Sequence, residues 1–492
     1  MDTVNLLPSQ PHLFTLFFRL ALSLLASLVN ANYRRPILGR RSHIEFDINT
    51  ETGFFPPRPL PRLRDAFTIW EMALDEADDS LALGSDIRQE VTAKRHLGEV
   101  WRRKIRTVSI THPVHKTSLT FRSLQWPVLD VEPLQCDHRL LQRAHLVLAW
   151  LVNFYVHSQP PSESIIVPKA LAIPLVAVSR HLAIAPVLTF ADTVLWNCEP
   201  AQPDQPLSMD NMRFLHRFSG TEDERNFYAA SAKAELRGVE MLRIIDDYNK
   251  MPGFTDLTSI AKVSRDLKKL AVIIDDISEI IQSVRPTCDP HVFYWEIRPW
   301  FEGSGAKGPT DPKWTYEGVE DSDQLDLSGP SAGQSSIMHA VDIFLDIDHK
   351  LRQKRYPAPS EGNKKADHGF MERMRRYMPG SHREYLHHLV GTPISVRELA
   401  ERIPTLQEPY DTAVLALKRL RDQHMKIACL YIVTMSRSAS GRAACPVARM
   451  MDKMAAENTS GRGPVRGTGG NELSALLKAG RDATRRAALR RT

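Results

Sequence analysis

Apolar residues recur along this chain at intervals of three and four, the period of a helix with one buried face. The stretch 256–283 carries Leu267, Leu270, Ile273, Ile274, Ile277 and Ile280 at that spacing. The stretch 411–435 carries Leu417, Leu420, Ile427, Ala428 and Tyr431, with Lys418, Arg421, Asp422 and Lys426 mostly to the sides. A long helix is predicted over 226–248, after the acidic cap region Thr221-Glu222-Asp223. Residues 140–157 are apolar nearly all round and predict a buried helix. Amphipathic helices are predicted over 65–83 and 87–105, and short ones over 171–181 and 188–196, punctuated by Pro174 and Pro186. Others follow over 290–299, closed by its proline, and over 335–350. Ser395 with Glu398 three residues on forms a capping box. A basic helix over 472–490 ends the chain.

The connections are predicted from composition. Phe54-Phe55-Pro56-Pro57-Arg58-Pro59 is extended, because a residue before proline is pushed away from helix. The segment 106–126, rich in Thr, Ser and β-branched residues, reads as irregular with at most short strands. Residues 302–329 read as a long surface loop, 361–369 as a hydrophilic linker, and 436–470 as a small, polar, glycine-rich connection. No repeat is visible. The pattern predicts an all-α chain whose helical character strengthens after residue 220.

Composition changes this picture little. With 492 residues, 42% hydrophobic and 25% charged, the chain can bury a large core in two or three domains. The net charge of +6 owes much to the arginine-rich C-terminus and to scattered arginines. It forms no basic stripe with aromatics, so no nucleic-acid partner is expected. Five dispersed cysteines, with no CxxC pair, make neither a disulfide framework nor a thiolate metal site and suit a reducing compartment. A cytoplasmic location follows, with one alternative. Residues 13–29 are almost continuously apolar, broken by Arg19, and read equally as a membrane tether, a secretory signal or a start-site extension. No GxGxxG, P-loop or HExxH occurs.

Four features carry candidate chemistry. His424 falls on the apolar face of its helix, either as a core histidine with one hydrogen-bond partner or as a metal or haem ligand in a dry pocket. The run Ser328-Gly329-Pro330-Ser331-Ala332-Gly333-Gln334-Ser335-Ser336 lets backbone approach a flat ligand, though most such runs are plain loops. Phe227 and Ser231 share a helical face, as core packing also requires. In Phe293-Tyr294-Trp295-Glu296-Ile297-Arg298 an arginine stands beside aromatics, able to fork onto a carboxylate or to form a surface salt bridge.

In their order, the segments PLVAVSRHLAIAPVLTFAD (174–192), SAGQSS (331–336), MRRYMPGSHR (374–383), the His424 helix and GTGG (467–470) closely resemble the indoleamine 2,3-dioxygenase family. The resemblance spans roughly 43–490. It implies a smaller N-terminal helical domain (43–218) packed on a large haem-binding helical domain (219–492), with 1–42 as an extension. It also implies haem b as cofactor, an external electron donor that keeps the iron ferrous, a monomer, and L-tryptophan and O2 as substrates. The implied reaction inserts both oxygen atoms across the indole C2–C3 bond of L-tryptophan or related indoleamines. The product is N-formylkynurenine, at the first step of the kynurenine pathway towards NAD. By position, His424 matches the proximal iron ligand, and Asp342 and Arg421 its surroundings, which the resemblance implies they fix as a pair. Phe227 and Ser231 match distal-pocket positions, with Ser231 and Arg298 in the catalytic set. Phe293 and Tyr294 match aromatics that pack on substrate, and Arg298 the arginine that takes its carboxylate. Ser331 and Ala332 line the distal side, Phe190 and Thr193 the indole pocket, and Thr468 a closing loop. Three positions depart from the family's usual residues: Pro330 replaces a glycine, Phe190 a common tyrosine and Thr193 a common cysteine. An alternative is a haem-binding relative with little turnover, acting as a sensor or signalling scaffold.

Overall fold

The computed structural model describes residues 43–114, 118–161, 164–306, 311–438, 465–468 and 471–490. The apolar stretch 13–29, Gly469 and Gly470 lie outside them. Among the described residues no helix is long and apolar enough to cross a membrane.

The architecture is helical. Its N-terminal part holds α1 (Thr68–Ala77), α2 (Thr92–Arg106), α3 (His138–His157) and α4 (Lys169–Leu182). The larger part holds α5 (Glu222–Lys250), α6 (Leu257–Gln282), α7 (Ser336–Phe344), α8 (Gly380–Val390), α9 (Val396–Arg402), α10 (Pro404–Ala428) and α11 (Leu473–Ala487). Helix α10 packs along α6, burying Val414, Leu417 and Leu420 against the predicted face of Leu267, Leu270, Ile273, Ile274 and Ile277. Helices α5 and α11 flank this pair, and α3, buried over nearly its whole circumference, centres the N-terminal part. The helix starts follow the capping rule: Asp137, Thr221, Asp256, Ser335 and Ser395 each accept a hydrogen bond from a first-turn N–H. The Ser395 box is half made, since Glu398 turns outward to Arg402.

Several expectations change. The segment 106–126 is a regular antiparallel hairpin, β1 (Thr107–Val114) with β2 (Ser118–Gln125), registered from Thr107 opposite Gln125 to Val114 opposite Ser118. Cross-strand pairing supplies what a short run without clean alternation does not announce. The loop 302–329 runs largely over the surface, as expected, but is anchored: Trp314, Tyr316 and Leu327 are buried, and Thr315–Tyr316 pairs in parallel with Ile166–Val167. The linker at 361 begins with a helical turn, Glu361–Lys364, whose Asn363 is buried against Asp482 and Arg486 of α11. Helix α7 stops at Phe344 because Asp346 takes a left-handed φ of 53° and the Ile347 N–H closes onto the Asp342 carbonyl.

The N-terminal part buttresses the rest through aromatic stacking. Trp150 of α3 stacks on Phe218 at 4.0 Å, and Phe218 on Trp300 at 5.2 Å. Asn153 donates to the Trp300 carbonyl. The short turn that carries Arg298 is thereby fixed from behind.

Candidate active site

A cavity of about 420 Å³ lies between α5, α6, α10 and the loops at 190, 298, 331 and 467. Its wall is largely apolar, with Ile277, Ile281, Val284, Leu420, Ile427 and Leu476 among the lining side chains. Eleven of the thirteen predicted site residues line it: Phe190, Thr193, Phe227, Ser231, Phe293, Arg298, Ser331, Ala332, Arg421, His424 and Thr468. Tyr294 and Asp342 do not. Tyr294 stands behind the wall with its ring 5.3 Å from the Arg298 guanidinium carbon, and Asp342 stands behind Arg421.

On α10, His424 faces the cavity and makes no hydrogen bond to any described residue. Burial, then the nearby Arg421 charge, pushes its pKa down, so the neutral imidazole with a free lone pair is favoured. The described residues hold no group of three or more His, Cys, Asp or Glu side chains that could bind a metal ion. A lone imidazole cannot hold a bare ion, but it is the single axial donor that iron already held by a macrocycle requires. An apolar cavity with one such donor therefore fits haem.

Behind the ligand helix, both Asp342 oxygens accept from Arg421 Nη2 at 2.6 and 2.7 Å, and Asp342 Oδ2 also meets His349 Nε2 at 2.7 Å. Burial opposes the Asp342 charge, but Arg421 and His349 outweigh it and hold the carboxyl well below the usual carboxylate range. Arg421 Nη1 reaches Thr484 of α11.

The loop over the opposite wall is built on close backbone approach. A Cβ on Gly329 would lie 1.8 Å from the Phe301 carbonyl oxygen, so no other residue fits. Ser331 caps the turn through the Gly333 N–H, and His339 bonds the Gly333 carbonyl at 2.9 Å. Gln334 accepts from the Phe190 N–H and donates to the Gly329 carbonyl, joining this loop to the turn that carries Phe190 and Thr193. That turn is held by buried Asp192, which takes the Thr189 N–H and hydroxyl and His145. The Thr193 hydroxyl bonds the Thr189 carbonyl at 3.1 Å, so the position adds little polarity to the cavity. On α5, Ser231 donates to the Phe227 carbonyl at 3.4 Å, and the Phe227 ring leans on Phe293 at 4.9 Å.

Arg298 is buried yet not saturated. Nη1 meets Glu302 Oε1 at 2.6 Å, Nη2 donates to the Arg466 carbonyl at 2.9 Å, and Nε has no hydrogen-bond partner. Thr468 donates to the Pro330 carbonyl at 2.8 Å, so the segment 465–468 closes on the loop at Pro330 and on Arg298 together.

The sequence pattern missed Glu235, His349 and His368, which also line the cavity. Glu235 sits one helical turn beyond Ser231 on α5. The Ser335 hydroxyl donates to its Oε1, its Oε2 is unpartnered, and burial pushes its pKa up to about 7. The i, i+4, i+8 spacing of Phe227, Ser231 and Glu235 was the available signal. His349 and His368 come from the irregular stretch after α7, where no period exists to place them.

The sequence profile of indoleamine 2,3-dioxygenase matches residues 42–487. The chain belongs to the indoleamine 2,3-dioxygenase family. It is 28% identical to rat (Rattus norvegicus) indoleamine 2,3-dioxygenase 1 over 453 residues, 92% of this chain and 96% of the relative. It is 29% identical to the indoleamine 2,3-dioxygenase of Saccharomyces cerevisiae, covering 73% of this chain and 80% of the yeast protein. It is also 30% identical to the 6-hydroxytryptophan 2,3-dioxygenase fscD of Fusarium equiseti, covering 75% of this chain and 86% of the relative. Indoleamine 2,3-dioxygenases are oxidoreductases that in general depend on haem, and the donor set here accommodates one.

Proposed function

We propose that this chain is a haem dioxygenase that opens the indole ring of L-tryptophan or a related indoleamine to give an N-formylkynurenine-type product, with His424 as the residue that would hold the haem iron. The observation that carries this reading is the His424 imidazole, without a hydrogen bond to any described residue, in the wall of a largely apolar cavity that also holds an arginine with an open donor edge. Haem, kept ferrous by an external donor, supplies the activation of dioxygen.

The chain's own residues position and enclose. The Nε–H and the adjacent Nη2–H of Arg298 form one planar fork, the shape that a carboxylate accepts. Phe227 and Phe293 give the indole ring apolar contact. Their mutual packing fixes the ring's place, so the reacting bond is held in one orientation. The Thr468–Pro330 bond and the Arg298–Arg466 bond hold the 465–468 segment over this edge and keep water out. Pro330 contributes through its carbonyl, which its ring leaves intact. Of the histidines in the wall, His349 is taken by Asp342, and His368 bonds the His349 carbonyl through Nδ1. No side-chain base is assigned to the ring opening.

The test is full-length protein supplied with haem, reduced, and assayed for ring-opened product from L-tryptophan and from 6-hydroxytryptophan, beside His424→Ala. The expected outcome is a Soret band and product in the parent, and neither in the variant. Haem without product would favour a sensor or scaffold. Folded parent without haem would overturn the reading.

A further inference from the structure

The chain that meets Arg298 from the C-terminal side is a tight antiparallel strap, described over 465–468 and 471–473 and held together by its own backbone. The Gly467 N–H donates to the Asn471 carbonyl at 2.9 Å, and the Leu473 N–H to the Val465 carbonyl at 3.1 Å. Gly467, Thr468 and Asn471 line the cavity, and the chain runs on directly into α11. Two ties already described hold this strap, Arg298 to the Arg466 carbonyl and Thr468 to the Pro330 carbonyl. A third is made by one side chain alone. Asn471 Nδ2 donates to Asp367 Oδ2 at 2.7 Å, and Asn471 Oδ1 accepts from Arg373 Nη2. The dock for this carboxamide is built without it. The Gly369 N–H donates to Asp367 Oδ1 at 2.9 Å, and Arg373 Nη1 lies 3.4 Å from Asp367 Oδ2. The Arg373 guanidinium carbon sits 5.7 Å from the Phe370 ring centroid. One charged acceptor and one charged donor therefore stand side by side, the pattern that a primary carboxamide satisfies with its two ends.

From this arrangement we infer that Asn471, docked on Asp367 and Arg373, is a positioning residue that latches the strap over the cavity and sets how long substrate stays. The inference rests on the proposed function in placing Arg298 and Thr468 at the substrate. In that reading Arg298 Nη2 serves both the Arg466 carbonyl and the substrate carboxylate, so its tie to the strap is disturbed whenever a ligand enters or leaves. The Asn471 clasp involves neither Arg298 nor Thr468 and persists through that exchange. Its dock is partly wet: the Asp367 side chain is 38% exposed and that of Arg373 30%. Water can replace the carboxamide there, so the latch opens and closes reversibly. A strap closed only part of the time lowers the apparent affinity by the closed fraction, and substrate leaves from the open form. Weakening the clasp therefore speeds release and raises KM while Arg298 and Thr468 stay in place.

The experiment uses haem-loaded, full-length protein and two rates. One is trypsin cleavage after Arg466 without substrate, followed by mass spectrometry, because native-state cleavage tracks the open population. The other is the dissociation rate of L-tryptophan, measured by stopped-flow displacement at the Soret band. Asn471→Ala should raise both about tenfold, the worth of one net charge-assisted hydrogen bond at a partly wet site, and should raise KM more than it changes kcat. Haem content and melting temperature should stay at the parent's values. Asn471→Asp keeps the Arg373 bond but sets a carboxylate against Asp367, and should also loosen the strap. Adding Asp367→Asn exchanges the two groups, restores both bonds and keeps the Gly369 contact. The double variant should return to within about threefold of the parent, the coupling that contacting residues show. Either rate unmoved in Asn471→Ala, or a double variant no tighter than Asn471→Asp alone, would overturn the inference. So would a parallel loss of haem and melting temperature, which would mark Asn471 as support for α11. Parent protein that binds no L-tryptophan would overturn the substrate reading instead, and the cleavage rates alone would then decide whether the strap is latched.

Discussion

Two arginines face the same cavity and are held in opposite ways. Arg421 is closed: Nη2 reaches both Asp342 oxygens, Nη1 goes to Thr484, and Asp342 spends its remaining capacity on His349. Arg298 is open: it touches Glu302 through one nitrogen and a backbone carbonyl through another, and leaves Nε unpartnered. Both pairs are buried, so burial alone does not separate them. What separates them is donor saturation. A saturated pair has nothing left to offer a ligand and serves to hold α7, α10 and α11 in register beneath His424. An unsaturated pair in a cavity wall carries unmade hydrogen bonds, whose cost in the empty site is recovered when a ligand makes them.

The comparison predicts unequal damage. Asp342→Ala leaves the Arg421 charge buried and uncompensated, a change that costs about 3–5 kcal/mol in comparable pairs. Urea unfolding should show that loss, together with weaker haem retention, since the helix carrying His424 loses its tie to α7. Glu302→Ala should cost clearly less stability, because Arg298 keeps its bond to the Arg466 carbonyl and lies beside a cavity rather than in close-packed core. Equal losses in the two variants would break the distinction between scaffold and recognition.

The next effect is on turnover. Arg298→Lys keeps the charge and removes the planar fork, so the substrate loses one charge-assisted hydrogen bond, worth about 1.5–3 kcal/mol. The kcat/KM for L-tryptophan should fall roughly tenfold to a hundredfold, at 1.4 kcal/mol per tenfold, carried mainly by KM. Arg421→Lys should instead lower haem content and stability, with little change in the KM of the loaded fraction. A similar KM rise in both variants would show that the open edge is not where the carboxylate binds.

How much of this was legible in the sequence follows the same divide between regular and irregular structure. The long helices were readable because burial on one face imposes a period, and α6 buries all the leucines and isoleucines that period selects except Ile280, which is half-buried. The His424 helix was readable as far as Ala428. Past it the chain widens into a π-helical turn, Cys429–Thr434, which still buries Tyr431 but which no α-period describes. The site residues matched by family resemblance gather at one cavity, except Tyr294 and Asp342, which sit one layer behind it. The resemblance did suggest the Asp342–Arg421 pair, which the structure shows; the other partnerships were out of the sequence's reach. That Glu302 pairs with Arg298, that Asp192 and Gln334 tie two loops together, and that Thr468 bonds the Pro330 carbonyl all depend on tertiary contacts between segments with no common pattern. The hairpin at 107–125 and the anchoring of the loop by Trp314, Tyr316 and Leu327 were hidden for a related reason, because their structure comes from neighbours and not from their own propensity.

The smallest predicted effect concerns Glu235, the one carboxyl in the cavity wall that has no cation beside it among the described residues. Asp342 is stabilised as an anion by Arg421 and His349, whereas Glu235 has only the Ser335 hydroxyl, and burial lifts its pKa from 4.5 to about 7. Between those two pH values the folded protein holds a proton that the unfolded chain has released. Stability contributed by this group is therefore complete at low pH and falls as pH rises through that window. Glu235→Gln keeps the oxygen that accepts from Ser335 and abolishes the titration. Its melting temperature should match the parent's near pH 4 and exceed it by a few degrees near pH 8, where the parent buries an unpaired charge. Thermal melts at both pH values decide it. A gap that is the same at both would mean that Glu235 is paired in solution after all, and the wall would then contain no acid held apart from a cation.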